Sequence, residues 1–166
     1  FSSQRLLSES GETVGFRIVP TSQAMALTRR YSSGLSDVFL YFNGDGTAIR
    51  PRAFVDTIVG HLEASEGKKL ILLDEIGGIE LVLPEVRHAL DRVLAGNIPC
   101  LGVLKLESSL RDMCKNPHVD SGCVDCYLQF RKDLCERFDA QIVPFRRDHA
   151  EEAEELIRNF IDRIFI

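Results

Sequence analysis

Residues 70–105 read LILLDEIGGIELVLPEVRHALDRVLAGNIPCLGVLK, and this stretch decides the fold. Leu70-Ile71-Leu72-Leu73 is an unbroken apolar run of the kind found in a strand buried on both faces of a parallel sheet. Pro84 to Ala95 has helical spacing: Pro84 suits the first turn, Val86, Leu90, Val93 and Leu94 form one apolar stripe, and Gly96-Asn97 ends it. Ile98 to Leu104 is a second buried strand. Working outward, Gln141 to Phe145 (QIVPF) reads as a third strand, with Pro144 near its end. The last helix opens on Asp148, Glu151 and Glu152, which complement its dipole, and keeps the helical period through Ala153, Leu156, Ile157, Phe160, Ile161 and Ile164. Toward the start, Gly11 to Pro20 is a turn leading into a strand. Val38 to Phe42 is a short strand ended by Asn43-Gly44-Asp45-Gly46, and 51–65 follow a helical pattern through Phe54, Val55, Ile58, Val59 and Leu62. Buried strands alternating with amphipathic helices predict an α/β fold, a three-layer sandwich with a mostly parallel sheet.

In such sheets ligands bind beyond the carboxyl ends of the strands. Directly after the central apolar run stand Asp74 and Glu75, followed by Ile76-Gly77-Gly78. Two acids at the tip of a buried strand are expensive unless something uses them, although solvated acids capping a strand end give the same pattern. A phosphate-binding site gives each a task. Asp74 would hold Mg²⁺ through water, and Glu75 would orient or deprotonate the water that attacks a γ-phosphate. Gly77 and Gly78 would let the backbone turn sharply.

The wider stretch resembles the Walker B region of the small P-loop nucleoside-triphosphatase family (the cancer-related nucleoside-triphosphatase-like proteins). The family pattern of apolar strand, Asp-Glu-Ile-Gly, then Glu-Leu is matched by Asp74-Glu75-Ile76-Gly77 and Glu80-Leu81. Its following strand is matched by Pro99-Cys100-Leu101-Gly102-Val103. Gly15-Phe16-Arg17-Ile18-Val19 is similar to the family's second Gly-Phe strand, and Phe1 takes the place of the Phe in its first. Arg146-Arg147-Asp148 stands where the family carries Asn-Arg-Asp. The similarity is strongest over residues 70–105. It implies a P-loop NTPase-like fold and Mg²⁺-dependent hydrolysis of a nucleoside triphosphate such as ATP or GTP. In that setting Glu75 is catalytic, Asp74 serves the metal, and Gly77 and Arg147 contact the nucleotide.

The phosphate-cradling motif G-x-x-x-x-G-K-[ST] does not occur in the sequence. Gly60 to Gly67-Lys68-Lys69 has the wrong spacing, lacks the hydroxyl, and precedes a strand. In the family the loop lies on a first strand and helix that would come before Phe1. The expected organisation is therefore one domain over 1–166 that lacks its first βα unit and carries a cysteine-rich insertion around 106–138. Arg147 has a solvated-pair alternative beside a helix N-terminus. Lys105, at the tip of its strand, reads as a snorkelling surface lysine.

With 20 Lys+Arg against 25 Asp+Glu among 166 residues, the net charge is −5, which points away from sequence-independent nucleic-acid binding. No apolar run is long enough for a spanning helix. The five cysteines, an odd number without a secretory segment, suggest reduced thiols and a cytoplasmic setting. Cys100 lies in an apolar run and suits a small buried hydrophobe. Cys114, Cys123, Cys126 and Cys135 have C-x8-C-x2-C-x8-C spacing, with His118 in the loop between. They could bind Zn²⁺, form a reversible disulfide, or pack as free thiols. Against zinc, Cys126 and Cys135 fall on one expected helix (126–138), about 13 Å apart along its axis at 1.5 Å per residue. Three functions stay open: a Mg²⁺-dependent NTPase, a nucleotide-binding or regulatory module without hydrolysis, and a zinc- or thiol-bearing interaction domain.

Overall fold

The computed structural model describes residues 2–19, 28–35, 38–43, 46–49, 51–115, 122–145 and 150–165. Among these described residues, seven strands and five helices follow in the order β1 (Ser2–Leu7), β2 (Thr13–Val19), β3 (Thr28–Arg30), β4 (Val38–Asn43), β5 (Gly46–Ile49), α1 (Pro51–Glu63), β6 (Ile71–Ile76), α2 (Pro84–Leu94), β7 (Cys100–Leu104), α3 (Glu107–Met113), α4 (Cys123–Glu136) and α5 (Ala150–Phe165). A 3-10 turn, Ile79–Val82, links β6 to α2. The architecture is mixed α/β.

Strands β1 to β5 form one sheet in the order β3-β1-β2-β4-β5, and β6 pairs with β7 in a second. The parallel pairings are β6 with β7 and β1 with β3, whereas β1–β2, β2–β4 and β4–β5 are antiparallel. The expected mostly parallel sheet thus gives way to a largely antiparallel one in the first half of the chain. Connection length is the reason. Ser8 to Glu12 closes a tight turn between β1 and β2, and only residues 44–45 separate β4 from β5. Links that short permit only antiparallel pairing, while the crossover through α2 makes β6 and β7 parallel.

The core lies where α1 and α2 pack on the sheets. Helix α1 buries Phe54, Val55, Ile58 and Leu62 on one stripe, and α2 buries Val86, Ala89 and Leu90. They meet Ile71, Leu73 and Ile76 of β6, together with Phe39, Leu110 and Phe130. Gly15 lets β4 approach β2 closely, because a Cβ there would stand 2.4 Å from the Leu40 carbonyl oxygen.

Two expectations fail around β6–β7. Only one face of this pair is covered among the described residues: Leu72 is 43% and Val103 58% exposed on the other. Residues 141–145 form no strand, since none of the described strands borders the second edge of β7 and Pro144 has no amide to give to a ladder.

Candidate functional site

Strand β6 carries the two acids out of the core. Ile71, Leu73 and Ile76 are buried, whereas Asp74 and Glu75 are exposed at its C-terminal end. The pairing with β7 runs from Leu73↔Gly102 to Ile76↔Leu104, so three steps on β6 match two on β7. The extra residue makes a bulge, which re-aims side chains at a strand end. Glu75 takes up the distortion with φ +46°, in the left-handed region that non-glycine residues seldom enter.

The turn after the bulge is fixed by three contacts. Gly77 has φ +126°, and a Cβ on it would lie 2.7 Å from the Tyr127 ring and 3.2 Å from Cβ of Lys105, so glycine is required twice over. Glu80 folds back, and its Oε1 accepts hydrogen bonds from the amides of Gly77 (2.5 Å) and Gly78 (2.7 Å). Tyr127 reaches over from α4 and donates its hydroxyl proton to the Lys105 carbonyl at 2.8 Å.

Lys105 follows β7 and lies beside Glu75. Its amide donates to the Ile76 carbonyl at 2.7 Å, and its Nζ stands 3.0 Å from Oε1 of Glu75. The lysine side chain is 19% exposed, so the snorkelling lysine expected from the sequence is instead enclosed and paired. The structure thus brings together Asp74, Glu75 and Gly77 and adds Lys105, Glu80 and Tyr127. Glu80 and Lys105 lay within the diagnostic stretch, but Tyr127 carried no signal, since it stands 22 residues beyond Lys105 and is brought in by a later helix, α4. Arg147, with Arg146 and His118, lies outside the described residues.

The cysteines do not assemble a metal centre. No group of three or more His, Cys, Asp or Glu side chains is placed to hold a metal among the described residues, which removes the support for zinc at Cys114, Cys123, Cys126 and Cys135. Cys123 and Cys126 occupy the first turns of α4, with Cys123 fully buried in the core and Cys126 packed against it. Cys135 lies near the other end of the helix and is exposed, and Cys114 packs at the end of α3. No disulfide joins the five cysteines. Burial pushes the Cys100 thiol above its ordinary pKa, in keeping with the packing role expected for it.

A family model described as NTPase matches residues 1–121. The chain belongs to this NTPase family. No curated protein and no solved structure matches it. Membership bears out the resemblance seen in the sequence and carries a nucleoside-triphosphatase-like function at the level of the family, with nucleotide as the partner and Mg²⁺ as its usual metal. The matched span takes in β1 through α3 and ends before α4, so the NTPase match covers the Asp74–Glu80 turn and Lys105 but not Tyr127. No helix among the described residues is long and apolar enough to cross a membrane.

Proposed function

We propose that this NTPase-family protein hydrolyses nucleoside triphosphates, ATP or GTP, with Mg²⁺, and that Asp74 and Glu75 form the reacting end of the site. The observation that carries this reading is the bulge at the tip of β6, which presents two adjacent carboxylates beyond the sheet edge on a turn packed too tightly for any residue but Gly77. Asp74 suits Mg²⁺, a hard cation that takes one or two carboxylates and keeps several of its waters. Bound there, the ion would neutralise charge on the β- and γ-phosphate oxygens. Glu75 accepts a hydrogen bond from the attacking water and takes its proton as the oxygen bonds to the γ-phosphorus. The bond from that phosphorus to the bridging oxygen breaks, releasing a nucleoside diphosphate and phosphate. Gly77 serves the nucleotide by shaping the turn, and Arg147 contacts base or phosphate.

The phosphate cradle is assigned to a strand–loop–helix unit that completes the domain. The exposed Leu72 and Val103 support this, because strands at the centre of such a fold are apolar for burial on both sides. The stretch around 106–138 is then an insertion that supplies α4 and Tyr127 to the turn.

Phosphate release by the full-length protein with ATP or GTP tests the reading. Hydrolysis should stop on chelation of Mg²⁺. Glu75→Gln should lower kcat by about a hundredfold or more while nucleotide binding persists. An unchanged rate in Glu75→Gln sinks the role given to that residue. The lack of a G-x-x-x-x-G-K-[ST] motif favours the second reading, nucleotide binding without turnover, for the 166-residue chain acting alone.

A further inference from the structure

We propose that Lys105 is a positioning residue that holds the Glu75 carboxylate in its working orientation at the tip of β6. The inference rests on Glu75 being the carboxylate that orients the attacking water. Its basis is geometric. The backbone of Glu75 sits at φ +46° in a bulge, so the ladder does not determine where its side chain points. The Glu75 side chain is 57% exposed, and a carboxylate this open to water keeps its rotamer freedom unless a partner removes it. Lys105 is that partner, at 3.0 Å.

The lysine is itself held on three sides. Its amide is bound to Ile76, its carbonyl receives the Tyr127 hydroxyl, and its Cβ packs against Gly77. Gly77 in turn lies under the Tyr127 ring. Lysine, turn and carboxylate form a closed circuit in which a shift of any member displaces Glu75. An ion pair with one partner more than half exposed adds little to stability, so fold stability gives little reason for such a built arrangement. Orienting a group that must align a water does give one, since misplacement by about 1 Å can cost a hundredfold in rate.

The test is a pair of substitutions, Lys105→Met and Lys105→Arg, in the full-length protein, each also combined with Glu75→Gln. Lys105→Met should lower kcat by roughly tenfold or more. KM should stay within about twofold and Tm nearly unchanged. Lys105→Arg should recover most of the rate, and in the Glu75→Gln background Lys105→Met should have no further effect. A raised KM at constant kcat overturns the proposal and makes Lys105 a phosphate contact instead. An equal loss in both backgrounds also overturns it. The carboxyl carbon resonance of Glu75, read by NMR on the folded protein without nucleotide, should move in Lys105→Met. If it stays in place, the pair is not formed and the proposal fails whatever the activity. Loss of rate in Lys105→Met with none in Glu75→Gln overturns the reading of Glu75 itself, whereas loss in Glu75→Gln with none in Lys105→Met overturns only the positioning role.

Discussion

Gly77 concentrates the demands of the site at one residue. Its φ of +126° is closed to residues with a side chain, and the Tyr127 ring occupies the space that a Cβ would take. Tyr127 is buried and tied to Lys105 by its hydroxyl, so it cannot swing aside cheaply. Gly77→Ala is expected to destabilise the fold by about 1–3 kcal/mol, from backbone strain and overpacking together. Tyr127→Phe, which loses only the hydrogen bond, should cost about 1 kcal/mol. Urea unfolding of both variants checks the order, and a smaller loss for Gly77→Ala than for Tyr127→Phe would contradict this account of the turn. Much of the site could be read in advance at this scale. Acids straight after an apolar run announce a strand tip, and paired glycines after them announce a turn. The pairing of Lys105 with Glu75 was hidden because it depends on the β6–β7 register and on a one-residue bulge, neither of which composition reports. The cysteine pattern left packed thiols, a disulfide and zinc open for a related reason: helical spacing that buries Cys123 in the same core as Phe130 and Leu110 is as compatible with packing as with a metal.

Among the elements, α2 and α4 are joined by charge as well as by apolar contact. Arg87 of α2 donates through Nε to Asp91 at 2.8 Å and through Nη2 to Asp133 of α4, and its guanidinium lies 5.0 Å from the Phe130 ring centroid. Gln129 donates to Asp133 at 2.8 Å, and Arg137 reaches Asp133 at 3.3 Å and Asp91 at 3.4 Å. Burial pushes the Asp133 carboxyl up, but the hydrogen bonds from Arg87 and Gln129 and the charges of Arg87 and Arg137 outweigh it. The net pKa lies below the ordinary 3.8. A carboxyl depressed in the folded state contributes stability that is fully present above its unfolded value and is lost as pH falls through the folded value. The wild type should therefore lose stability below about pH 3.8 more steeply than Asp133→Asn, which should itself be weaker by about 1–3 kcal/mol near neutrality. Thermal melts from pH 2 to 7 test this, and parallel curves for the two proteins would remove Asp133 from the account. Helices α1, α2 and α5 and strands β2, β4, β6 and β7 were legible from periodicity and apolar runs, and α4 was expected over 126–138 although it begins at Cys123. The short β1, β3 and β5 were not, because Ser2-Ser3-Gln4-Arg5 and Thr28-Arg29-Arg30 lack an apolar alternation and become strands only by pairing with neighbours.

For the molecule as a whole, the burial pattern orders the thiols. Cys135 is exposed, Cys100, Cys114 and Cys126 are half-buried, and Cys123 is enclosed. Iodoacetamide should label Cys135 first and Cys123 only on unfolding, and EDTA should leave Tm unchanged, since Cys123 and Cys126 pack into the core and no metal-holding group forms among the described residues. Loss of structure in EDTA would restore a metal to the cysteine-rich stretch. The exposed face of β6–β7 has a further consequence, for solubility. Strand β7 has one ladder partner among the described residues, and its other edge runs beside the uncovered Val103. An open edge flanked by apolar side chains is a template on which strands of other molecules can add. At rising concentration the 166-residue chain should self-associate, and Val103→Lys should keep it dispersed in light scattering while leaving its melting temperature almost unmoved. Wherever a further strand seals that edge, the same β7 changes from an aggregation seed into the middle of a sheet, so this chain's shelf life becomes a direct reading of whether the edge is closed.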